Sequence, residues 1–325
     1  MEIKRAYLPA EKERVRRFLA EQNLQYDADI EFTVYAAEQG NVVGTASAAG
    51  NIIKAVAVDP SMQGQNLSAL LLDEVLAYFR LQHIYYYQVF TKPKNRAVFT
   101  SLNLSEVICT DEVLLLENNS VEGVTAYLQK MRAQVTLPLT DVGVVVANCN
   151  PLTNGHLYLM GEAAKRHATV LVFVVEEDAS AFPFETRFRL VQQACRRFPN
   201  VQVLPSGRYI ISSLTFPTYF LKETSSKARA YARVDAAIFA KYFVPAFCIA
   251  KRYVGEEKTD ASTAVYNECL KEALGEKLVI LPRLQEEGQA VSASVVRKLA
   301  KEGDFETVAK LVPPETLQVL KSWKF

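Results

Sequence analysis

The sequence predicts an α/β protein in which an N-terminal α/β domain precedes a domain built on a doubly wound parallel sheet. Three observations predict it. The chain has 325 residues, which is enough for two domains with ordinary cores. From residue 142 onward, short apolar runs alternate with helical patterns, as in parallel sheets. The first of these runs, Val142–Ala147, ends in a polar turn that opens a helix.

The first part of the chain, up to about residue 117, mixes helical and strand patterns. A charged helix comes first, and two strands joined by a turn at Gly40 follow. A third strand leads through a polar loop into an apolar-periodic helix. In order, the predicted elements are a helix over 11–22, strands over 32–38, 42–48 and 52–58, a helix over 68–81, and strands over 84–90 and 113–117.

Two breaks in the pattern place the domain boundary between about 118 and 140. A turn cluster covers residues 118–120, and a Pro-containing break covers residues 137–141. The predicted organisation is a first domain over 1–120, a linker helix and loop over 121–140, and a second domain over 141–325. The predicted strands of the second domain are 142–147, 170–175, 201–204, 246–249 and 278–281.

The composition excludes several classes of protein. Lys and Arg number 37 against 36 Asp and Glu, so neither a nucleic-acid nor a membrane-surface footprint is indicated. No apolar stretch approaches the roughly 20 residues of a membrane span, and the N-terminus lacks the apolar core of a signal peptide. The five cysteines form no C-x-x-C pair and the three histidines are scattered, so no protein metal site is predicted. We expect a cytoplasmic protein with a small-molecule partner.

The turn over residues 150–156 (N-P-L-T-N-G-H) is the most informative segment of the chain. It lies between the apolar run Val142–Ala147 and a helical pattern over 157–165. Free backbone N–H groups and the helix dipole can hold phosphate at such a place. Thr153 and His156 are three residues apart at the start of the helix, so both can point at the same bound group. This arrangement suggests a nucleotide with its α-phosphate beside the His156 imidazole.

A second candidate segment follows the predicted strand 278–281 and opens the last part of the chain. Ser292 or Ser294 can cap the helix that begins there, and Arg297 then lies about one turn into it. An ordinary capped helix with a surface arginine would give the same pattern. The functional interpretation is a polyphosphate tail held by backbone N–H groups, hydroxyls and Arg297.

Together, the two segments resemble motifs of the nucleotidyltransferase superfamily related to class I aminoacyl-tRNA synthetases. In that superfamily an H/T-x-G-H turn binds the nucleotide, and an I-S-S/A-S/T-x-x-R turn grips the β- and γ-phosphates. Residues 153–156 (T-N-G-H) and 292–297 (S-A-S-V-V-R) match these motifs in the expected order. The resemblance implies a Rossmann-like fold for the second domain.

Further segments resemble the citrate lyase ligases in particular. They are residues 182–191 (FPFETRFRLV), 212–222 (SSLTFPTYFLK), 252–257 (RYVGEE) and 266–268 (YNE). Those ligases also carry an N-terminal acetyltransferase-like domain, so the resemblance covers essentially the whole chain. The departures from the family pattern, at residues 148–150, Leu214 and Lys258, do not fall on Thr153 or His156.

This resemblance implies an AMP-forming acid–thiol ligase. ATP, acetate and a thiol would give an acetyl thioester, AMP and pyrophosphate through an acetyl adenylate. The thiol would belong to the dephospho-coenzyme-A-derived prosthetic group on the acyl-carrier subunit of citrate lyase. His156 and Thr153 would act at the α-phosphate, and Lys222 would neutralise phosphate or place acetate.

The same resemblance implies a set of ATP-binding residues. They are Asn150, Thr153, Gly155, His156, Arg187, Gly255, Glu256, Ser292, Ser294 and Arg297. Mg²⁺ would be bound through the ATP phosphates, with no dedicated protein ligand.

The first domain resembles the GNAT acetyltransferases, in which a strand with exposed backbone groups meets a Q/R-x-x-G-x-G/A loop. Residues 63–68 (QGQNLS) occupy that loop, with Asn66 and Ser68 at positions that are usually Gly or Ala. Because Asn tolerates positive φ and Ser is small, the turn is compatible with this sequence. The residues implied for binding coenzyme A or acetyl-CoA are Val56, Val58, Gln63, Gly64 and Asn66. No catalytic base stands out for acetyl transfer.

Two alternatives stay open. A plain adenylyltransferase acting on a pantetheine-phosphate-like acceptor would share both phosphate motifs, and acetate-dependent AMP formation would separate it from the ligase. A non-catalytic coenzyme-A- or nucleotide-binding module would bind nucleotide without turnover. The presence of Thr153, His156 and Arg297 argues against this second alternative.

Overall fold

A computed structural model of the chain describes residues 1–118, 122–176, 180–211, 216–221, 224–257, 261–286 and 289–323. The residues fall into two units. Unit 1 comprises Met1–Ala126 and Phe216–Val234, and unit 2 comprises Tyr127–Thr215 and Asp235–Phe325. Residues 216–234 therefore pack with the first part of the chain, although they follow the first strands of the predicted second domain.

The strands and helices alternate through most of the chain. In chain order, the strands are β1 (Glu2–Arg5), β2 (Phe32–Glu38), β3 (Asn41–Ala49), β4 (Ile52–Val58), β5 (Gln88–Thr91), β6 (Leu104–Cys109), β7 (Leu114–Asn118), β8 (Val142–Ala147), β9 (Thr169–Val174), β10 (Val201–Pro205), β11 (Ile249–Gly255), β12 (Leu278–Leu281), β13 (Gln285–Glu286) and β14 (Gln289–Ala290). The helices are α1 (Pro9–Glu21), α2 (Leu67–Leu81), α3 (Arg96–Thr100), α4 (Val124–Arg132), α5 (Asn154–Ala164), α6 (Phe184–Cys195), α7 (Thr224–Ile238), α8 (Val244–Ala246), α9 (Ala261–Leu274), α10 (Ala293–Glu302), α11 (Phe305–Leu311) and α12 (Pro314–Ser322).

Unit 1 is built on a seven-stranded sheet with the order β1-β2-β3-β4-β5-β7-β6. Successive residues of a strand face opposite sides of the sheet, and both sides are covered here. Val34 belongs to the apolar cluster that contains the buried face of α2, whereas Tyr35 belongs to the cluster that contains α1. The predicted helix over 68–81 agrees with α2 to within one residue.

The pair β4 and β5 sets up the candidate site of unit 1. These strands run parallel, but they pair only at Ile52↔Gln88 and Ile53↔Val89. Beyond that point β4 contains an irregularity against β3, and Ala55 has a φ of +51°. The predicted strand over 84–90 starts only at Gln88, whose backbone N–H donates to Asn51 O at 3.0 Å. The Tyr87 N–H donates instead to the Asn118 side chain, so the regular backbone ladder begins one residue later.

Unit 2 contains a five-stranded parallel sheet with the order β10-β9-β8-β11-β12. One face packs α5 and α6 around Val145 and Tyr253. On the other face, the Phe173 ring contacts Phe243 and Phe247 beside α8, with ring centroids 5.8 and 5.4 Å away. With helices on both faces, the predicted doubly wound α/β fold is confirmed.

The strand predicted over 246–249 was wrong. Helical backbone continues through Val244–Ala246, and the strand β11 covers Ile249–Gly255 instead. The apolar run at 246–249 arises from the end of a helix that packs on the sheet, followed by a turn in which Cys248 has a φ of +52°. A short apolar run of this kind does not distinguish a strand from a buried helix end.

Candidate functional site

A cleft of about 360 Å³ lies in unit 2 at the carboxyl ends of β8 and β11. The chain continues from β8 to β9 on one side, whereas β11 pairs with β8 on the other, so the cleft lies at the point where the strand order reverses. Open α/β sheets bind ligands at such points. Six predicted site residues line it: Thr153, Gly155, His156, Gly255, Ser292 and Ser294.

The first wall of the cleft is the turn between β8 and α5. Thr153 caps α5, and its hydroxyl accepts from the His156 N–H at 3.4 Å. In return, the Thr153 backbone N–H donates to His156 Nδ1 at 3.1 Å. A backbone N–H can only donate, so Nδ1 is the unprotonated nitrogen and the proton resides on Nε2. The neutral ring is therefore a hydrogen-bond donor through Nε2.

The pKa of His156 is lowered to about 4. Burial of the ring is the main cause, and the positive charge of Arg283 is the second. Both disfavour the imidazolium, so the ring stays neutral through the physiological pH range. A neutral Nε2–H donor can stabilise developing negative charge without losing a proton itself.

The Arg283→Gln variant is expected to raise the His156 pKa above about 4, because it removes the charge that opposes protonation. The pKa should stay below 6.5, since burial of the ring remains. An NMR titration of the imidazole measures it. Glu257→Gln is the matched control, because it leaves the Arg283 charge uncompensated and should shift the pKa downward. A His156 pKa that is the same in both variants as in the wild type would contradict this electrostatic account.

Two glycines line the cleft. A Cβ on Gly155 would lie 3.4 Å from Val291 O, at van der Waals contact, so the turn lies directly against the segment before α10. A Cβ on Gly255, at the end of β11, would meet nothing within 4 Å. The space beside Gly255 is thus open to a ligand, while its carbonyl accepts from Asn267 Nδ2 at 3.1 Å.

The second wall is the start of α10. Ser292 caps this helix by accepting from the Val295 N–H at 3.3 Å, and Ser294 lies one turn from Arg297. Arg297 does not line the cleft; its Nη1 donates to the Asn150 carbonyl and its Nη2 to Ser294 Oγ at 3.4 Å. The two predicted phosphate motifs are thus joined through Arg297 and Asn150.

The structure places Arg187, the predicted phosphate contact, away from the cleft. The side chain is 0% exposed and does not line the cleft. Its Nε donates to Phe182 O at 2.9 Å, and its Nη1 donates to Asn148 O at 2.7 Å and to Val175 O at 2.9 Å. The guanidinium therefore holds together the chain ends that leave β8 and β9. Its contacts are those of a side chain that positions the two connections beside the cleft.

The acidic residue at the cleft is Glu257, not the predicted Glu256. The Glu256 backbone bonds its neighbours, donating to Leu281 O at 2.7 Å and accepting from Arg283 Nε at 2.9 Å. The Glu257 side chain lines the cleft, is only 3% exposed, and forms an ion pair with Arg283. The carboxylate and guanidinium thus sit together in the wall beside His156.

A buried polar network supports the wall formed by Tyr266. The Tyr266 hydroxyl accepts from Arg252 Nη2 at 2.8 Å and donates to Asp235 Oδ2 at 2.5 Å. Arg252 and Asp235 are each 1% exposed. Burial raises the pKa of Asp235, an effect that the nearby Arg252 charge opposes. Because the ring is held from both sides, Tyr266 is a rigid part of the cleft.

Sequence reasoning missed several residues that line the cleft. They are Asn148, Glu257, Thr263, Tyr266, Asn267 and Arg283. Asn148 directly follows β8 and Arg283 closely follows β12, so a search for polar residues after each predicted parallel strand would have found both. The predicted catalytic Lys222 lies outside the described residues, as does the start of its segment, residues 212–215.

A separate cavity of about 520 Å³ lies in unit 1. All five residues predicted there for coenzyme A line it: Val56, Val58, Gln63, Gly64 and Asn66. The loop before α2 turns through Gly64 and Asn66, with φ values of +84° and +60°. Asn66 therefore adopts the positive φ that its position requires. Lys92 and Lys94 line the same cavity and give it cationic side chains.

The described residues contain neither a metal-binding cluster nor a membrane-spanning helix. Within those ranges, no three His, Cys, Asp or Glu side chains are grouped so that they could hold a metal ion. Over the same part of the chain, none of the helices has both the length and the apolar character needed to cross a bilayer.

Comparisons with known proteins bear on both units. The family model for the citrate lyase ligase C-terminal domain matches residues 142–320, and the model for the acetyltransferase (GNAT) family matches residues 1–99. The [Citrate [pro-3S]-lyase] ligase of Klebsiella pneumoniae is 36% identical over 329 residues, covering 98% of this chain and 96% of the relative. The protein of the same name from Escherichia coli is 33% identical, covering 95% and 90%. An acyl-CoA N-acyltransferase structure from Pseudomonas aeruginosa, 12% identical with a TM-score of 0.31, covers 36% of this chain and 98% of its own.

Proposed function

Because the chain belongs to the citrate lyase ligase family, we propose that it activates citrate lyase by acetylating the thiol of its acyl-carrier subunit at the expense of ATP. The thiol is that of the dephospho-coenzyme-A-derived prosthetic group, and the products are the acetyl thioester, AMP and pyrophosphate. The observation that carries this proposal is the neutral His156 ring, which presents an Nε2–H donor at the cleft between two phosphate-binding helix starts.

In the first step, an acetate oxygen attacks the α-phosphorus of ATP. The bond from that phosphorus to the bridging β-phosphate oxygen breaks, and pyrophosphate leaves with the electron pair. Negative charge builds on the α-phosphate oxygens in the transition state. His156 Nε2–H donates to one of them, and the N–H groups at the start of α5 add their partial positive charge.

The leaving pyrophosphate requires its own cationic and donor groups. The start of α10 supplies free backbone N–H groups beside the hydroxyls of Ser292 and Ser294. Arg297, which bonds the Asn150 carbonyl, and Arg283 in the cleft wall supply positive charge near both helix starts. Mg²⁺ bound through the phosphates would neutralise further negative charge. Lys222 would neutralise phosphate or place acetate.

In the second step, the carrier thiolate attacks the carbonyl carbon of the acetyl adenylate. The carbon–oxygen bond to the phosphate breaks, AMP leaves with the electron pair, and the thioester forms. The thiol proton is released to solvent or to AMP. Unit 1 would bind the coenzyme-A-like arm in its cavity, through Val56, Val58, Gln63, Gly64 and Asn66.

ATP–pyrophosphate exchange with a panel of small carboxylates tests the reaction type. Exchange that requires acetate supports the ligase. Exchange that proceeds without any carboxylate but requires pantetheine phosphate would indicate an adenylyltransferase. Tight nucleotide binding with no exchange under either condition would indicate a non-catalytic binding module.

Thr153→Ala is expected to lower acetate-dependent exchange by less than about tenfold, the scale of one or two weak hydrogen bonds. Alanine removes the hydroxyl, which caps α5 and lies 2.9 Å from His156 Nδ1, but its backbone N–H still donates to the same nitrogen. The exchange rate at saturating ATP measures the effect. A loss as large as that of a His156 variant would mean that the hydroxyl itself contacts the reacting phosphate.

A further inference from the structure

We propose that the cavity of unit 1 is a docking site that holds its thiol-bearing arm without transferring an acyl group, because Tyr219 closes the gap between β4 and β5. The identity of the arm rests on the proposed function, whereas the closure rests on contacts within unit 1. Tyr219 and Phe220 line the cavity, although they lie about 100 residues beyond the sheet in the sequence.

The gap is a consequence of the strand geometry. The ladder between β4 and β5 ends at Ile53↔Val89, and the backbone beyond that point has no partner strand on this side. Backbone N–H and C=O groups left in this way must find other partners when they are buried. They would otherwise be available to a ligand that enters the cavity, as exposed strand edges are to extended peptides.

Tyr219 forms a hydrogen bond with the first of these unpaired backbone groups. Its hydroxyl donates to the carbonyl of Phe90 on β5 at 2.7 Å. The Tyr219 carbonyl accepts from the Gln25 N–H at 2.8 Å, so the segment is fixed from its backbone as well. The side chain is only 4% exposed.

Neighbouring rings keep this segment in place. Phe216 packs edge-on against Phe90 with 5.7 Å between the ring centroids, and Phe220 is 2% exposed. The segment over residues 216–221 is therefore a well-packed wall of the cavity. It closes the cavity at the gap between β4 and β5. A ligand arm that starts at the loop over residues 63–68 would stop at the Tyr219 ring.

This wall removes the groups that acyl transfer would need. A thioester carbonyl requires a donor for its developing oxyanion, and the Tyr219 hydroxyl at the gap already donates to Phe90 O at 2.7 Å. Burial raises the pKa of Tyr219, and its proton is directed to Phe90 O, so it is not a base. The other ionisable side chains among the described residues lining the cavity are Lys92 and Lys94. The cavity is therefore expected to bind the thiol-bearing arm without transferring an acyl group.

Isothermal titration of the full chain with coenzyme A and with hexanoyl-coenzyme A tests the closure. ATP is kept saturating, so that the cleft of unit 2 is occupied. The wild type should bind coenzyme A roughly tenfold or more tightly than the hexanoyl thioester, because the added chain meets the closed gap. Tyr219→Ala should bring the two affinities to within about threefold. Tyr219→Phe, which keeps the ring, should retain the preference.

Three results would overturn the proposal. One is equal affinity of the wild type for the two ligands. A second is the acceptor-dependent release of free thiol from acetyl-coenzyme A by the wild type. The third is coenzyme A binding that is unaffected by Gly64→Val, since a β-branched residue at a φ of +84° must distort the loop. Acetate-dependent exchange is measured separately, so a failure of this proposal and a failure of the ligase proposal are distinguishable.

Discussion

His156→Ala is expected to lower acetate-dependent pyrophosphate release roughly 100-fold or more, as the loss of a preorganised oxyanion donor does in other enzymes. In the proposed reaction, the Nε2–H of the neutral ring is the donor that the turn over residues 150–156 would present to the α-phosphate. Single-turnover release of pyrophosphate measures the chemical step. The affinity for ATP should change much less, because the helix-start N–H groups remain.

A matched variant separates hydrogen bonding from packing. His156→Gln keeps a polar side chain with an amide N–H donor, so it should retain more activity than His156→Ala. Pyrophosphate release by His156→Ala at the wild-type rate would remove His156 from the chemistry. Equal and large losses in both variants would mean that the position of the donor matters as much as its presence.

Arg187→Ala is expected to lower the free energy of unfolding of unit 2 by about 3 kcal/mol, because it leaves several buried carbonyl oxygens without their donor. The carbonyls of Phe182, Asn148 and Val175 all accept from this side chain. Denaturant unfolding followed by fluorescence and circular dichroism measures the change. Arg187→Lys should not restore stability, since an ammonium cannot reach three divergent carbonyls in the way a guanidinium does.

Arg189→Ala is the matched control on the same helix. Arg189 is exposed, so its removal should change stability by no more than about 0.5 kcal/mol. If Arg187→Ala unfolded at the wild-type denaturant concentration and only weakened ATP binding, the original prediction of a phosphate contact would be restored. The experiment therefore decides between the role predicted from the sequence and the role indicated by burial.

The fold class could be predicted from the sequence because parallel strands and their helices leave a local, periodic signal. The sequence signal for the start of α5 is equally local, since Thr153 and His156 lie within one turn of the helix. The burial of Arg187 could not be predicted, because it depends on carbonyls from two separate connections, the one after β8 and the one after β9. The same holds for residues 216–234. The rest of unit 1 lies at least 90 residues earlier in the chain, and no local sequence pattern indicates that the two parts pack together.

The residues of the cleft show the same limit on what can be predicted from the sequence. A polar residue after a strand can be found by inspection, as Asn148 and Arg283 show. The choice between Glu256 and Glu257 depends on which side chain the end of β11 turns inward, and adjacent residues of an extended chain face opposite ways. A shift of one residue in the assumed register therefore exchanges the two.

The paired hydrogen bonds between Thr153 and His156 have a consequence for how the site is assembled. The same atoms that close the first turn of α5 also set which imidazole nitrogen carries the proton. The rotamer and tautomer of the ring are thus fixed when the helix forms, before any nucleotide arrives. The entropy of ordering that side chain is lost in folding, so it does not oppose ligand binding or the approach to the transition state.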